Sequence, residues 1–533
     1  MTQSTDPKEL IYKINKLLKE NQDLKLQLNK LQKNKEKLEK KIEQLENIIA
    51  QIPQDVLPKG VNVSIGEKKL KFKMVTVLFI DIHGFKKIAQ SSDNVKEVID
   101  ELDQIFFHFN SIAKKYKLQI IKTIGDTFMA AGGVPVKNST NPIDVVLAAL
   151  EMAAYVRDLR EEYKKKNKEF WELRIGINTG SVKAQAYGKR KLSYDIKGET
   201  VNIATRMALT SDIGKVNISA NTFVLVNEYF EFTYNGTIPV KYEGDLDMYY
   251  VERLKPELSA DERGLKPNHT FQVKYALRQF ADLQEVILDK LEKELPPYLY
   301  YHNYKHTIDV INQAELIGYG EGVSDEEILL LKTAALFHDA GHIISYQDHE
   351  YYGCQIAKEY LPKYNYTPEQ IEKVCELIMA TKLPPNPKNL LEKIMCDADL
   401  DYLGREDFIP VSNTLYEELK AQGKIKSLNE WNKLQVKFLT GHQYFTKTAN
   451  KLREVNKEKQ IERIKSLIKW ESEEERLKFE EELKEIQRKL EERRKKMEEE
   501  EKQKESSENT ENVNEDKDET IVKSENATER THV

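Results

Sequence analysis

The chain has 533 residues, with 83 Lys plus Arg against 89 Asp plus Glu, ten His and three Cys. That length exceeds one ordinary core, so two or three domains are expected, and the near balance of charge argues for no nucleic-acid partner and no anionic membrane surface. Cys354, Cys375 and Cys396 are too few and too scattered for a disulfide framework, which fits a reducing compartment. The N-terminus, MTQSTDPKEL, lacks the apolar core of a signal peptide, and no apolar run approaches the roughly 20 residues that span a bilayer, so a cytoplasmic protein with no membrane span is expected.

Residues 8–50 place Leu10, Leu17, Leu24, Leu31, Leu38 and Leu45 on one heptad register, with Ile14, Asn21, Leu28, Lys35, Ile42 and Ile49 on the other. A leucine seam with one inserted Asn predicts a parallel two-stranded coiled coil, hence a homodimer. Residues 51–69 are a connector. MVTVLFID (74–81) then reads as a buried strand, VKEVIDELDQIFFHFNSIAKKY as a helix, and LQIIKTIGDTFMAAGG as strand, turn, strand. A helix near 143–166 and the strand LRIGINTG (173–180) complete a mixed α/β domain over 70–254. The polar stretch 255–270, with two prolines, reads as a linker. Periods over 271–466 are almost all helical, giving an all-α domain. Residues 467–505 alternate charge signs with few apolar residues and predict a solvated single helix, and 506–533 a disordered tail.

Two aspartates end buried β runs, Asp81 in LFIDIHGF and Asp126 in IKTIGDTFMAA, and adjacent strands would bring them to one sheet end, an oxygen-rich setting suited to Mg²⁺ with phosphates. KLSYDIKGETVNIATRM (191–207) adds Asn202 and Arg206 four apart on one helical face, and Lys241 follows a strand in GTIPVKYEG. Together these segments resemble the class III nucleotidyl cyclase catalytic domain, whose fold is α+β and ferredoxin-like. The resemblance implies that Asp81, Asp126 and the backbone carbonyl of Ile82 hold two Mg²⁺ or Mn²⁺ ions, that Arg206 stabilises charge on the transferring phosphorus, that Asn202 orients the ribose and that Lys241 pairs with phosphates. Lys122 and Asp195 offer the donor and acceptor that adenine wants at N1 and N6, so ATP is the expected substrate and cyclic AMP with pyrophosphate the products. In this family the base pocket and the metal pair of one site come from different protomers. A chain with both sets implies a two-fold dimer with two equivalent sites, brought together by the coiled coil. Lys86, Gln185 and Glu199 depart from residues common in the family.

Five of the ten histidines fall between 302 and 349. The ordered series His306, His338-Asp339 and an aspartate in a later Ala-Asp step, Asp399 in preference to Asp397, resembles the HD-domain metal phosphohydrolases. That resemblance implies one or two divalent ions, Zn²⁺, Mn²⁺, Fe²⁺ or Mg²⁺, on His306, His338, Asp339 and Asp399. YHNYKHT is closer to the cyclic-nucleotide phosphodiesterases of that superfamily, which implies that His302 is the acid that protonates the departing O3′ while water attacks phosphorus. His342 and His349 would be supporting or substrate groups, or ordinary polar surface residues. Gln435 and Phe438 in LQVKF resemble the purine clamp of those enzymes. A bifunctional cyclase and phosphodiesterase is expected. The alternatives are a helical domain that acts as a non-hydrolytic sensor or on another phosphoester.

Overall fold

The structure, a computed structural model, describes residues 69–83, 95–167, 170–187, 193–240, 244–497 and 499. The expected coiled coil (8–50), the connector up to residue 68, Lys86, Lys241 and the tail (506–533) lie outside the described residues.

The α/β part runs β1 (Lys69–His83), α1 (Val95–Lys115), β2 (Gln119–Ile124), β3 (Thr127–Gly132), α2 (Asn141–Lys165) and β4 (Glu172–Tyr187). These strands lie in the order β2-β3-β1-β4, every neighbouring pair antiparallel, which is the split βαβ or ferredoxin-like arrangement. β5 (Ser193–Lys197), α3 (Glu199–Leu209), β6 (Val216–Ser219), α4 (Ala220–Val226), β7 (Phe230–Val240) and β8 (Gly244–Leu254) extend it. β6 adds parallel to β4, followed by β8 and β7, and β5 pairs with β4.

Alternation along β1 separates two cores. Leu78, Ile80 and Ile82 pack against α1 and α2 through Phe106, Phe109, Val146 and Met152, while Val75 and Val77 point the other way toward Val182, Ile196 and Ala204. The helix α3, which carries Asn202 and Arg206, lies directly on β4. A Cβ at Gly176 would fall 2.1 Å from the Ala208 nitrogen and 2.3 Å from the Ala204 oxygen, so only glycine permits this approach.

Residues 255–268, expected as a linker, are folded onto the α/β part. Leu258 is buried in its core, Ser259 bridges to Pro267, and the Asn268 side chain caps the next helix by accepting from the Phe271 N–H. Burial of one leucine and an N-cap suffice to order a stretch whose composition looks like loop.

The helical part comprises α5 (His269–Glu294), α6 (Tyr304–Glu321), α7 (Asp325–Phe337), α8 (His349–Tyr360), α9 (Pro368–Ala380), α10 (Leu390–Asp399), α11 (Phe408–Ala421), α12 (Leu428–Gly441) and α13 (Lys447–Lys465). A further helix, α14, covers 473–497. It carries the charge pattern expected of a solvated helix, yet Phe479 and Leu483 are buried on Val436, Leu439 and Ile464, and Lys437 pairs with Glu482 at 2.6 Å. Phe479, Leu483 and Ile486 fall on one stripe, which docks the helix.

One helix belongs to both parts. Phe271 sits in the α/β core, whereas Phe280, Leu283, Ile287 and Leu291 sit in the helical core. Between them the Tyr275 hydroxyl donates to Asp144 at 2.8 Å, the Arg278 Nε–H donates to the Ser139 carbonyl at 2.9 Å, and Asp282 accepts from the Ser139 N–H at 2.9 Å. Burial pushes the Asp144 carboxyl up to about 6, against the hydrogen bonds from Tyr275 and Thr140. Tyr275→Phe removes a donor from this buried carboxylate. It is expected to cost about 1–3 kcal/mol in denaturant unfolding, with the far-UV spectrum unchanged.

Candidate functional sites

At one end of the sheet, Asp81 on β1 stands in register with Thr127 on β3, and the Ile82 N–H donates to the Asp126 carbonyl at 2.8 Å. Gly125, at φ +59°, makes the β2–β3 turn that sets Asp126 there. Asp81, Ile82 and Asp126 therefore share one sheet end. Lys122 projects exposed from β2, and Asp195 stands on β5 opposite Gln185 with the Lys197 ammonium 3.5 Å away. On α3 the Asn202 amide donates to Glu199 at 3.1 Å, and Arg206 follows one turn later, half-buried.

The second cluster lies in the helical part. His306 leaves the first turn of α6, and His338 and Asp339 follow α7. Asp399 ends α10. Four atoms converge: His306 Nε2 is 3.2 Å from Asp399 Oδ1 and 3.5 Å from Asp339 Oδ2, and His338 Nε2 is 3.3 Å from Asp339 Oδ2 and 3.4 Å from Asp399 Oδ1. The two Nε2 atoms are 3.3 Å apart. A tetrahedron around an ion with ligand bonds of 2.0–2.1 Å has edges of about 3.4 Å, so these separations fit a Zn²⁺-sized cation. His338 Nδ1 donates to the Ala335 carbonyl at 2.8 Å, which leaves the Nε2 lone pair for a metal in the neutral ring. Asp339 Oδ2 is buried with no hydrogen-bond partner, an orphan that a cation would satisfy.

Electrostatics agree. Burial alone would raise Asp399, but the hydrogen bonds from His306 and His338 hold it well below the carboxylate range. Burial would lower His338, but Asp339 and Asp399 outweigh it and raise the imidazole well above its ordinary value. The carboxylates are compensated by imidazolium protons, the positions a divalent ion takes over as it binds.

His302 sits beside this cluster. Its Nδ1 donates to Glu418 Oε1 at 2.6 Å, and Glu418, fully buried on α11, also accepts from the Tyr301 and His302 N–H groups at 3.0 and 3.1 Å. Burial acts to lower the His302 pKa, but Asp339 and Glu418 prevail and raise it. A cavity of about 540 Å³ opens onto His302, Asp339 and Asp399, walled by Trp431, Gln435 and Phe438. The Trp431 Nε1–H donates to Ser412 Oγ at 3.3 Å, and Ser412 donates to Gln435 Oε1, so the Gln435 amide is oriented through its oxygen.

The family model for the adenylate and guanylate cyclase catalytic domain matches residues 67–253, and the HD-domain model matches residues 303–401. Guanylate cyclase 32E of Drosophila melanogaster is 32% identical over 194 residues, 36% of this chain and 16% of that protein. An adenylate cyclase of Mycobacterium tuberculosis is 30% identical over 201 residues, 37% of this chain and 44% of that protein. This chain thus spans less than half the length of either of these curated relatives. Among solved structures, the adenylyl cyclase CyaB from P. aeruginosa is 26% identical with a TM-score of 0.33, covering 36% of this chain and 100% of that one. The guanylate cyclase domain of RhGC from Catenaria anguillulae in complex with GTP is 28% identical with a TM-score of 0.32, covering 35% and 100%. The chain joins a cyclase catalytic domain to an HD domain.

In the HD domain, the preference for Asp399 over Asp397 has a structural counterpart. Asp397 is fully buried and faces away, accepting from the Phe445 N–H at 2.9 Å and from the Thr446 N–H and hydroxyl at 2.8 and 2.7 Å. Asp401 instead accepts from Arg453 at 2.7 Å. His342 is no surface residue, being 3% exposed, and burial pulls its pKa down to about 3. Glu418 carries no local sequence signal: LYEELK reads as a solvated helix, and only the fold brings it to His302, 116 residues away. No described helix is long and apolar enough to cross a membrane.

The two aspartates should separate experimentally. Asp397→Ala orphans three buried donors and is expected to cost at least about 2 kcal/mol with or without metal. Asp399→Ala should abolish metal retention after desalting, read by elemental analysis, whereas Asp397→Ala in its folded fraction should retain metal.

Proposed function

We propose that the cyclase domain converts ATP to 3′,5′-cyclic AMP and pyrophosphate across a homodimer interface, and that the HD domain hydrolyses the cyclic nucleotide to 5′-AMP. The observation that carries the pairing is the HD cavity, where His302, held from behind by Glu418, lines one space together with Gln435 and two of the four clustered residues, Asp339 and Asp399.

In the cyclase domain, Asp81, Asp126 and the Ile82 carbonyl would hold two Mg²⁺ or Mn²⁺ ions, which supply Lewis acidity at the ribose 3′-oxygen and the polyphosphate. Lys122 donates to adenine N1 and Asp195 accepts from N6, across the interface from the partner's acidic pair. Asn202 orients the ribose, Arg206 balances charge on the phosphorus, and Lys241 holds phosphate. The clustering of Asp81 and Asp126 at one sheet end, with Asp195 on a separate strand, supports this division.

In the HD domain, His306, His338, Asp339 and Asp399 would hold the ion that activates water. His302 then delivers its Nε2 proton to the leaving O3′, and Glu418 keeps the imidazole protonated and aimed. Phe438 and the Gln435 NH₂ contact the purine, as in the family's clamp.

Purified protein with ATP and Mn²⁺ should yield cyclic AMP first and AMP after a lag, and His338→Ala should let cyclic AMP accumulate without AMP. Unchanged AMP production in that variant would instead favour a non-hydrolytic HD domain. Lys122→Glu with Asp195→Cys reverses the hydrogen-bond polarity and should shift preference toward GTP by at least about tenfold. Continued strict ATP preference overturns the assignment of the base pocket.

His302 also sets a pH limb. Hydrolysis falls as pH rises through its pKa, which Asp339 and Glu418 raise. Glu418→Gln removes one of those charges, so the falling limb should move toward acid in a pH profile of cyclic AMP hydrolysis.

A further inference from the structure

We propose that Cys354 and Cys375 form a redox switch, in which a peroxide closes the two thiols into a disulfide that ties α8 to α9 and loosens the neighbouring metal cluster. The switch stands apart from the nucleotide chemistry proposed above, and only its readout rests on reading that cluster as a metal site.

Both cysteines are free thiols, 21 residues apart in the chain, and they face each other where α8 meets α9. Cys354 Sγ lies 3.6 Å from the Cys375 carbonyl oxygen, and Cys375 Sγ lies 3.9 Å from the Cys354 carbonyl oxygen. The contact is reciprocal, so each side chain points at the other residue, the arrangement that a disulfide requires.

The two sulfurs differ in reactivity. Cys375 is only 7% exposed, but it lines a cavity of about 820 Å³ between α9 and the segment 382–392, which gives a small oxidant a path to it. Lys358, one turn after Cys354, pairs with Glu372 of α9 at 2.8 Å and so holds a cation beside the thiols. The hydrogen bond from the Cys354 thiol, together with this ammonium, lowers the Cys375 thiol against the effect of burial. The same bond and burial raise Cys354. Cys375 is therefore the attacking thiolate and Cys354 the resolving thiol.

The chemistry balances with hydrogen peroxide as oxidant. The Cys375 thiolate attacks one peroxide oxygen, the O–O bond breaks, and a sulfenic acid and hydroxide form. Cys354 sulfur then displaces the sulfenic oxygen, which leaves with the thiol proton as water. Two thiols give up two electrons and two protons, and the peroxide becomes two waters.

The metal cluster lies within reach of this change. A Cβ at Gly353 would fall 2.6 Å from the Phe337 carbonyl oxygen and 3.4 Å from that of His338, so α8 is pressed against the backbone that carries His338 and only glycine permits the contact. α8 starts at His349, whose Nε2 is 3.4 Å from Asp339 Oδ1, while Asp339 Oδ2 faces His338. A disulfide draws the sulfurs from non-bonded contact to about 2.0 Å. A close-packed α8 has no slack to absorb that movement, so His338 and Asp339 shift from the separations that fit a cation.

The test uses the full chain with Asp81→Asn and Asp126→Asn, so that the cyclase aspartates add no metal. Metal-free protein is left reduced or treated with a small excess of hydrogen peroxide. Both forms are then examined by intact mass, by peptide mapping without reductant and by Mn²⁺ titration. The oxidised chain should lose two hydrogens, yield a Cys354–Cys375 cross-linked peptide, regain both thiols with dithiothreitol and bind Mn²⁺ about tenfold more weakly. Cys375→Ser should bind Mn²⁺ as the reduced parent does, before and after peroxide. Should that variant misfold, Cys354→Ala serves in its place with the same expectation. Added oxygen without the cross-link, a cross-link between two chains, or a disulfide with unchanged Mn²⁺ affinity overturns the proposal. Reduced protein that binds Mn²⁺ but hydrolyses no cyclic AMP would overturn the proposed reaction and leave the switch standing.

Discussion

The structure depends on one helix, His269–Glu294, being part of two cores at once. Its first turns complete the cyclase core through Phe271, and its later turns complete the HD core through Leu283, Ile287 and Leu291. Close-packed interiors do not deform smoothly, so a helix gripped at both ends moves as a body or not at all. The grip includes Ser139, in the segment that follows the strand leading from Asp126, and that serine is bonded to Asp282 and Arg278. The two domains are thus joined by a rigid element, unlike domains on a flexible tether.

The two centres differ in how their charges are managed. The HD cluster is buried, and its carboxylates and imidazoles hold one another in opposite protonation states at short range. Such a cluster is costly unless every charge is answered, and the asymmetric use of Asp339's two oxygens is how this fold answers them. The cyclase side chains of Asp81, Lys122, Asp126, Asp195, Asn202 and Arg206 are half-buried or exposed.

Second-line residues explain the positions of the first. Asp397 ties the end of α10 to Phe445 and Thr446, and by fixing that turn it aims Asp399. Glu418 does the same for His302 from another helix. Ser412 and Trp431 set the direction of the Gln435 amide. Asp397 and Glu418 each take several donors, so their rotation would break more than one bond.

Read alone, the sequence determined the main strands and helices, that a cyclase-like and an HD-like domain occupy two regions, and which aspartates end buried β runs, because periodicity and local motifs are properties of neighbouring residues. It also favoured Asp399 over Asp397 from its Ala-Asp step. Tertiary structure alone decided the rest. The linker became a folded bridge because Leu258 found a core, and the charged helix docked because Phe479 and Leu483 share a stripe. His342 proved buried, and Glu418, distant in sequence, became the partner of His302. Those outcomes depend on what lies across a cavity, and a linear pattern carries no record of which residues the fold will set face to face.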